Sequence, residues 1–137
     1  MNTKMSDGAM LAGRVLMALL FLQAGIGQVM GPARIIANIA KSGLPLPEVS
    51  YAVSVVVLLG AGLGVLLGVK FRWAALALAA YCLFTAWVFH YAPGDGGQMS
   101  HFYKDVALAG GLLCMALNDA GAFSLDAMLG ARRSALG

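Results

Sequence analysis

The stretch VVVLLGAGLGVLLGVKFRWAALALAAYC, residues 55–82, decides the fold class. Two apolar runs meet at a short turn, VKFR, whose Lys70 and Arg72 are the only charged residues in the stretch. A charge-free run of about 20 residues is long enough to cross the hydrocarbon of a bilayer as a helix. Because the turn is so short, the two helices are predicted to be antiparallel neighbours.

The rest of the chain repeats this pattern. Uncharged runs also cover residues 15–33 and 73–94, and a shorter one covers 106–118. The last reaches spanning length only if Lys104 and Asp105 lie at an interface, where a lysine can extend its ammonium into water. The first run contains LQAG at 22–25, which loosely resembles a signal-peptide cleavage site, but we expect this helix to remain uncleaved. The prediction is one all-α domain over 1–137, a membrane four-helix bundle with spans at about 12–31, 49–69, 73–91 and 103–121.

Composition supports a lipid environment. The chain is 61% hydrophobic and 11% charged, whereas an ordinary soluble domain carries about 25% charged residues. The net charge of +3 comes from cations placed singly or in pairs at the ends of apolar runs, as expected for membrane-boundary anchors. We therefore expect the bilayer, and no nucleic acid, as a partner.

The distribution of cations predicts the orientation. With both termini on one side, that side holds six of the nine cations and the other side holds Arg34, Lys41 and Lys104. The positive-inside rule places the termini in the cytoplasm. Segments 31–48 and 91–103, and with them both histidines, then face the periplasm of a bacterial inner membrane.

Segment 31–48 contains a second kind of helix signal. Ile35, Ile36 and Ile39 are interleaved with polar residues, Pro32 suits a first helical turn, and Gly43 suits a helix end. We expect a short amphipathic helix on the periplasmic surface. A disordered loop is the alternative.

Glycines predict how the helices pack. Gly60, Gly64 and Gly68 recur every four residues, a spacing that lets a second helix approach closely in a membrane. With the alanine-rich third span, they predict a compact bundle with little internal volume. Cys82 and Cys114 form no CxxC motif, and we interpret them as small apolar residues.

Polar groups in so apolar a chain are candidates for function. Arg14 is either an interfacial anchor or one half of a buried pair with Asp119 or Asp126. Gln23 and Gln28 are expected to bond neighbouring helices, with a ligand role as the alternative.

Both histidines lie at the two ends of one short loop, YAPGDGGQMS, residues 91–100. His90 and His101 are either solvated interfacial residues or members of one site with Asp105 and Lys104. Such a cluster suits proton exchange with a quinone head group, or more weakly a metal held by the two imidazoles. The glycine-rich loop between them is then a candidate mobile flap.

Several motifs together resemble the DoxX family of small membrane proteins. They are GRVLMALLFLQAGIGQ at 13–28, GLPLP at 43–47, LLGAGLGVLLGVKFR at 58–72, FYKDVALAGGLL at 102–113 and GAFSLDA at 121–127. The resemblance implies a four-helix bundle in the bacterial inner membrane and a link to thiosulfate oxidation coupled to quinone. His90, Lys104, Asp105 and Asp126 fit the family pattern. Gln28 and Leu58 depart from it, since many members carry Lys and an acidic residue at these positions.

Three functions follow as expectations. The first is a membrane subunit of a redox-linked complex that faces the quinone pool through the histidine cluster. The sequence shows no haem pair, flavin motif or redox CxxC, so an oxidoreductase subunit of this kind depends on a partner protein for its electron carrier. The second is a non-catalytic assembly or anchoring subunit for a partner or for copies of itself. A small-molecule carrier is the third.

Overall fold

The structure, a computed structural model, describes residues 3–136 and is all-helical over that range. It contains six helices there: Thr3–Met30 (α1), Pro32–Lys41 (α2), Pro47–Leu67 (α3), Phe71–His90 (α4), Gly96–Ala116 (α5) and Leu125–Leu136 (α6). Two of them contain a π-helical turn, Val57–Ala61 within α3 and Ala86–His90 at the end of α4. The predicted all-α class is confirmed.

Three helices, α1, α3 and α4, are long and apolar enough to cross a membrane by length and composition. The predicted fourth span corresponds to α5, which has 21 residues and carries Lys104 and Asp105. Large apolar side chains cover the outer surface: Leu16, Val56 and Trp73 are 70%, 69% and 71% exposed. Such a surface is expected when lipid is the solvent.

The chain reverses direction between long helices, so the bundle has two distinct ends. Residues 68–70 connect α3 to α4, and Arg14 lies against this turn. Residues 91–95 connect α4 to α5 beside His90. We call these the arginine end and the histidine end.

Proline, glycine and one carboxylate determine where the helices begin and end. Pro32 and Pro47 lie in the first turns of α2 and α3. Gly68 ends α3 with a φ of 66°, a left-handed conformation that favours glycine. Asp95 Oδ1 accepts hydrogen bonds from the backbone of Gly97 and Gln98, at 3.0 and 3.1 Å, and so starts α5. The short helix α2 lies in segment 31–48, where the sequence predicts a short helix.

The core is built from small residues. The most extensive helix pair is α4 with α5, where Ala75, Leu78 and Ala79 are buried in one cluster with Ala109 and Leu112. The contacts of α3 differ between its two halves. The Val57–Leu67 part of α3 packs on α1 and α4, whereas Pro47–Val56 packs on α2. The bundle is therefore tight at the arginine end and splayed at the histidine end.

The glycine prediction is right for Gly64 and wrong for Gly60. A Cβ on Gly64 would lie 2.9 Å from the Cβ of Ala74 in α4, whereas a Cβ on Gly60 would meet no atom of residues 3–136 within 4 Å. The π-helical turn Val57–Ala61 holds an extra residue and turns Gly60 to the outside. The α1–α3 contact instead uses Gly25 and Gly62, against leucine side chains. Gly68 packs directly on Arg14 and Ser124.

Arg14 joins three parts of the arginine end. Its side chain is 1% exposed. Nε and Nη2 donate to the carbonyls of Val65 and Leu66 at 2.9 and 2.6 Å, and Nη1 donates to those of Ala120 and Phe123 at 2.9 and 2.8 Å. Carbonyls at the end of a helix lack intrahelical partners. They satisfy the cation without a carboxylate.

The predicted pair of Arg14 with Asp119 or Asp126 is therefore wrong, as is the prediction of an interfacial anchor. Asp119 is exposed. Asp126 instead accepts from the backbone N–H groups of Lys70 and Phe71, at 3.2 and 3.3 Å, where a carboxylate stabilises the start of α4. Both groups thus hold helix ends together, each through backbone atoms.

We expect Arg14→Lys to destabilise the protein by about 2–5 kcal/mol, because one ammonium cannot reach four carbonyls held in two segments. The measurement is the free energy of unfolding in detergent. Arg72→Lys is the matched control, since Arg72 is exposed and its substitution should change stability little. Equal effects of the two substitutions would contradict the role assigned to Arg14.

We expect Gly64→Leu to lower the free energy of unfolding in detergent by about 1–3 kcal/mol, because the new side chain must displace Ala74. The melting temperature should fall accordingly. Gly60→Leu is the control, with no neighbour to displace. A wild-type melting temperature for Gly64→Leu would show that close approach of α3 and α4 is not required.

Candidate functional site

A polar face on α4 leads to the histidine end. Tyr81, Thr85 and His90 all line one cavity. Phe89, four residues after Thr85, and His90 both line the cavity. They belong to the π-helical turn Ala86–His90, whose wider winding is often found at functional sites.

Two side chains of α5 hold His90. Its Nδ1 lies 2.9 Å from Oε1 of Gln98 and its Nε2 lies 3.8 Å from Oδ2 of Asp105, both on α5. The same Asp105 oxygen lies 3.3 Å from Thr85 Oγ1, whose single proton also has the backbone carbonyls of Tyr81 and Cys82 at 3.0 and 3.1 Å. With an amide oxygen as its acceptor, Nδ1 carries the proton. Nε2 is then free to accept a proton and would form an ion pair with Asp105 on doing so.

His101 lies beside His90 on the solvent side. The ring centroids are 5.3 Å apart with the planes inclined by 35°. Nδ1 of His101 lies 3.2 Å from Nζ of Lys104, and because an ammonium only donates, this nitrogen is the acceptor. Thus one imidazole faces a carboxylate and the other faces a cation.

The structure therefore brings His90, His101, Lys104 and Asp105 together, while Arg14, Asp119 and Asp126 lie at the opposite end. Sequence reasoning missed Gln98, which it placed in a loop. The predicted flap over 91–100 is wrong in its second half, because Asp95 caps α5 and makes Gly96–Ser100 helical. The available signal was Asp95 directly before Gly96, because aspartate is a preferred residue at the position that precedes a helix.

Metal binding has little support from the donor set. Within residues 3–136, no group of three or more His, Cys, Asp or Glu side chains could hold a metal ion. Cys82 is buried in the cavity wall and Cys114 is exposed. The site offers proton-exchanging and hydrogen-bonding groups instead.

The cavity has a volume of about 930 Å³. It is bounded by α1, α2 and α3 on one side and by α4 and α5 on the other. The prediction of little internal volume is wrong, because Pro47–Val56 follows α2 and diverges from α4. Its apolar wall includes Leu20, Phe21, Val53, Leu58 and Leu108. A ligand-sized apolar cavity with a few convergent polar groups is the usual form of a small-molecule site.

A second polar cluster lies in the same wall and has no formal charge. Ser54 Oγ lies 2.8 Å from Gln28 Oε1 and 2.8 Å from the hydroxyl of Tyr81, and Gln28 Nε2 donates to that hydroxyl at 3.4 Å. Tyr51 donates to the backbone carbonyl of Gln28 at 3.3 Å. The expected interhelical bonding of Gln28 is thus present, whereas Gln23 is exposed. The cluster bridges α1, α3 and α4 where α3 diverges from α4.

The sequence of this chain is similar to those of known membrane proteins. The DoxX family model matches residues 9–91. Inner membrane protein YqjF of Escherichia coli (strain K12) is 34% identical over 128 residues, which is 92% of this chain and 95% of that protein. Inner membrane protein YphA of the same strain is 32% identical over 122 residues, which is 85% of this chain and 87% of that protein. No solved structure matches the chain. On the strength of the family model and these full-length relatives, the chain belongs to the DoxX family.

Proposed function

We propose that this protein is a multi-pass protein of the bacterial inner membrane, in which α1, α3, α4 and α5 cross the bilayer as a four-helix bundle. Three of these helices are apolar enough to span by composition alone, and two relatives are named as inner membrane proteins. At about 1.5 Å per residue, the 21 residues of α5 also match the thickness of the hydrocarbon.

The charges of α5 are compatible with a span. Asp105 accepts a hydrogen bond from Thr85 and faces His90. Lys104 is exposed and reaches His101. Both lie two to three turns from the start of the helix, where a long side chain can reach the interface.

The histidine end faces the periplasm in this proposal, and both termini face the cytoplasm. Support comes from the bias of six cations against three. Helix α2 then lies on the periplasmic surface as an amphipathic element, with Ile39 buried and Arg34 exposed.

The function that the geometry supports best is that of a quinone-binding membrane subunit of a redox-linked complex. The observation that carries it is the cavity of about 930 Å³, whose apolar wall holds His90 and Asp105 together at one end. Apolar walls suit the ring and tail of a lipid-soluble quinone. The polar end suits an oxygen that gains or loses a proton.

His90 has a defined part in this proposal. Nδ1 is bonded to Gln98, so Nε2 is the nitrogen available for proton exchange. The carboxylate of Asp105 lies 3.8 Å from Nε2 and can pair with the imidazole when this nitrogen accepts a proton. Reduction of a quinone to a quinol takes two electrons and two protons. His90 and Asp105 would conduct the protons, while the electrons come from a partner protein.

A non-catalytic assembly or anchoring subunit is the competing function, and a small-molecule carrier is the next. An anchoring subunit would need no ligand in the cavity. A carrier would need access to the cavity from both sides, whereas the arginine end is closed by Arg14 and its four carbonyls. Saturable binding of a quinone therefore distinguishes the proposed function from these two alternatives.

We expect the purified protein to bind decylubiquinone saturably, measured by equilibrium dialysis in detergent. His90→Ala should weaken binding about tenfold or more, since a hydrogen bond to an ionisable group is lost. His101→Ala should weaken it about threefold, because His101 contacts His90 without lining the cavity. The double variant should resemble His90→Ala, as for residues that act as a unit. Absence of saturable binding to the wild type would favour the anchoring function.

We expect opposite labelling of two exposed positions in whole cells, Ser100→Cys at the histidine end and Ala122→Cys at the arginine end. In a background without the two native cysteines, a membrane-impermeant maleimide should label Ser100→Cys only. Labelling of Ala122→Cys alone would reverse the proposed orientation.

A further inference from the structure

We propose that Gln28, Ser54 and Tyr81 form a second binding point in the cavity, which donates a hydrogen bond to a neutral acceptor oxygen of the ligand. The ligand class is then a compact ring with oxygen at opposite ends, a 1,4-dione, held by His90 at one end and by this cluster at the other. The inference rests on the proposed function and adds how the protein recognises the end of the ligand farthest from His90.

The three side chains close a ring of hydrogen bonds. The single proton of Ser54 is donated to Gln28 Oε1 at 2.8 Å. In the 2.8 Å contact between Ser54 and Tyr81, the tyrosine must then be the donor. Gln28 Nε2 completes the ring by donating to the tyrosine oxygen at 3.4 Å. Each of the two hydroxyls therefore gives one hydrogen bond and receives one.

One donor remains after this count. A glutamine amide has two N–H groups, and the ring uses one of them. Within residues 3–136, Nε2 of Gln28 makes no other hydrogen bond to the protein. Gln28 is half-buried and lines the cavity. The cluster thus presents an N–H to the cavity, and with no formal charge it favours a carbonyl or ether oxygen over an ion.

The two binding points share one wall. Tyr81 lies one helical turn from Thr85, and Thr85 bonds the Asp105 that faces His90. Leu58, Val53 and Leu108 line the same cavity beside these polar groups. A flat apolar ring can therefore contact the shared wall while its two oxygens address different clusters. The ionisable cluster exchanges protons, and the neutral cluster fixes the orientation of the ring.

The test compares two probes on the full-length protein in detergent. The first is 2-decyl-1,4-benzoquinone, which has two carbonyls, and the second is 2-decylcyclohex-2-enone, which has one. The single carbonyl should take the charge-assisted donors of the histidine end, which are the ammonium of Lys104 in the cavity wall and Nε2 of His90 once this nitrogen has accepted a proton. We expect Gln28→Met to weaken binding of the dione about three- to tenfold, as for loss of one neutral hydrogen bond, and to leave binding of the enone unchanged.

Gln23→Met is the matched control, because Gln23 lies on the same helix, is exposed and does not line the cavity. It should leave both affinities unchanged. If Gln28→Met fails to fold, Gln28→Glu serves as the second variant, since it keeps an acceptor for Ser54 and removes both amide N–H donors. It should weaken binding of the dione in the same way.

The outcomes separate this inference from the proposed function. If His90→Ala weakens binding of the dione and neither Gln28 variant does, the second binding point is wrong and the quinone site stands. Equal weakening of dione and enone by Gln28→Met would also overturn it, because the cluster would then support the cavity without recognising an oxygen. If the wild type binds neither probe, the proposed function itself fails.

Discussion

The buried guanidinium of Arg14 is the constraint on which the rest of the bundle depends. A cation that is 1% exposed needs partners for its donors, because an unpaired charge in an apolar interior is very costly. Four of its five N–H groups donate to carbonyls. The partners are the carbonyls of Val65, Leu66, Ala120 and Phe123, which belong to the end of α3 and to the segment after α5. They can meet one side chain only if these chain ends converge. The arginine end is therefore closed.

Closure at one end leaves room at the other. The Val57–Leu67 part of α3 packs on α1 and α4, whereas Pro47–Val56 follows α2. The gap that results is the cavity of about 930 Å³, and the side chains of Gln28, Ser54 and Tyr81 link α1, α3 and α4 in its wall. Stability and binding are thus assigned to opposite ends of the same helices. Residues near Arg14 hold the fold, and residues near His90 can serve a ligand.

Two π-helical turns adjust which faces meet. In α3 the turn Val57–Ala61 contains Gly60, which is exposed, and in α4 the turn Ala86–His90 contains His90, which lines the cavity with Phe89. A π-helical turn is less favourable than regular helix and is often found at functional sites. The second turn carries the imidazole that lies beside Asp105.

Periodicity, charge and composition by themselves determined the helical class and the three apolar spans. They also predicted the short helix α2, with a loop as the alternative, and the proximity of His90 to His101, with two separate solvated residues as the alternative. These features depend on local hydrophobicity and on short connections, which can be read along the chain. Only the tertiary structure decided that Arg14 binds carbonyls rather than a carboxylate, that Gly60 packs on nothing, and that a cavity exists. Each of these depends on where distant helix ends converge or diverge. One extra residue in a turn changes the outcome, and residue spacing alone does not reveal it.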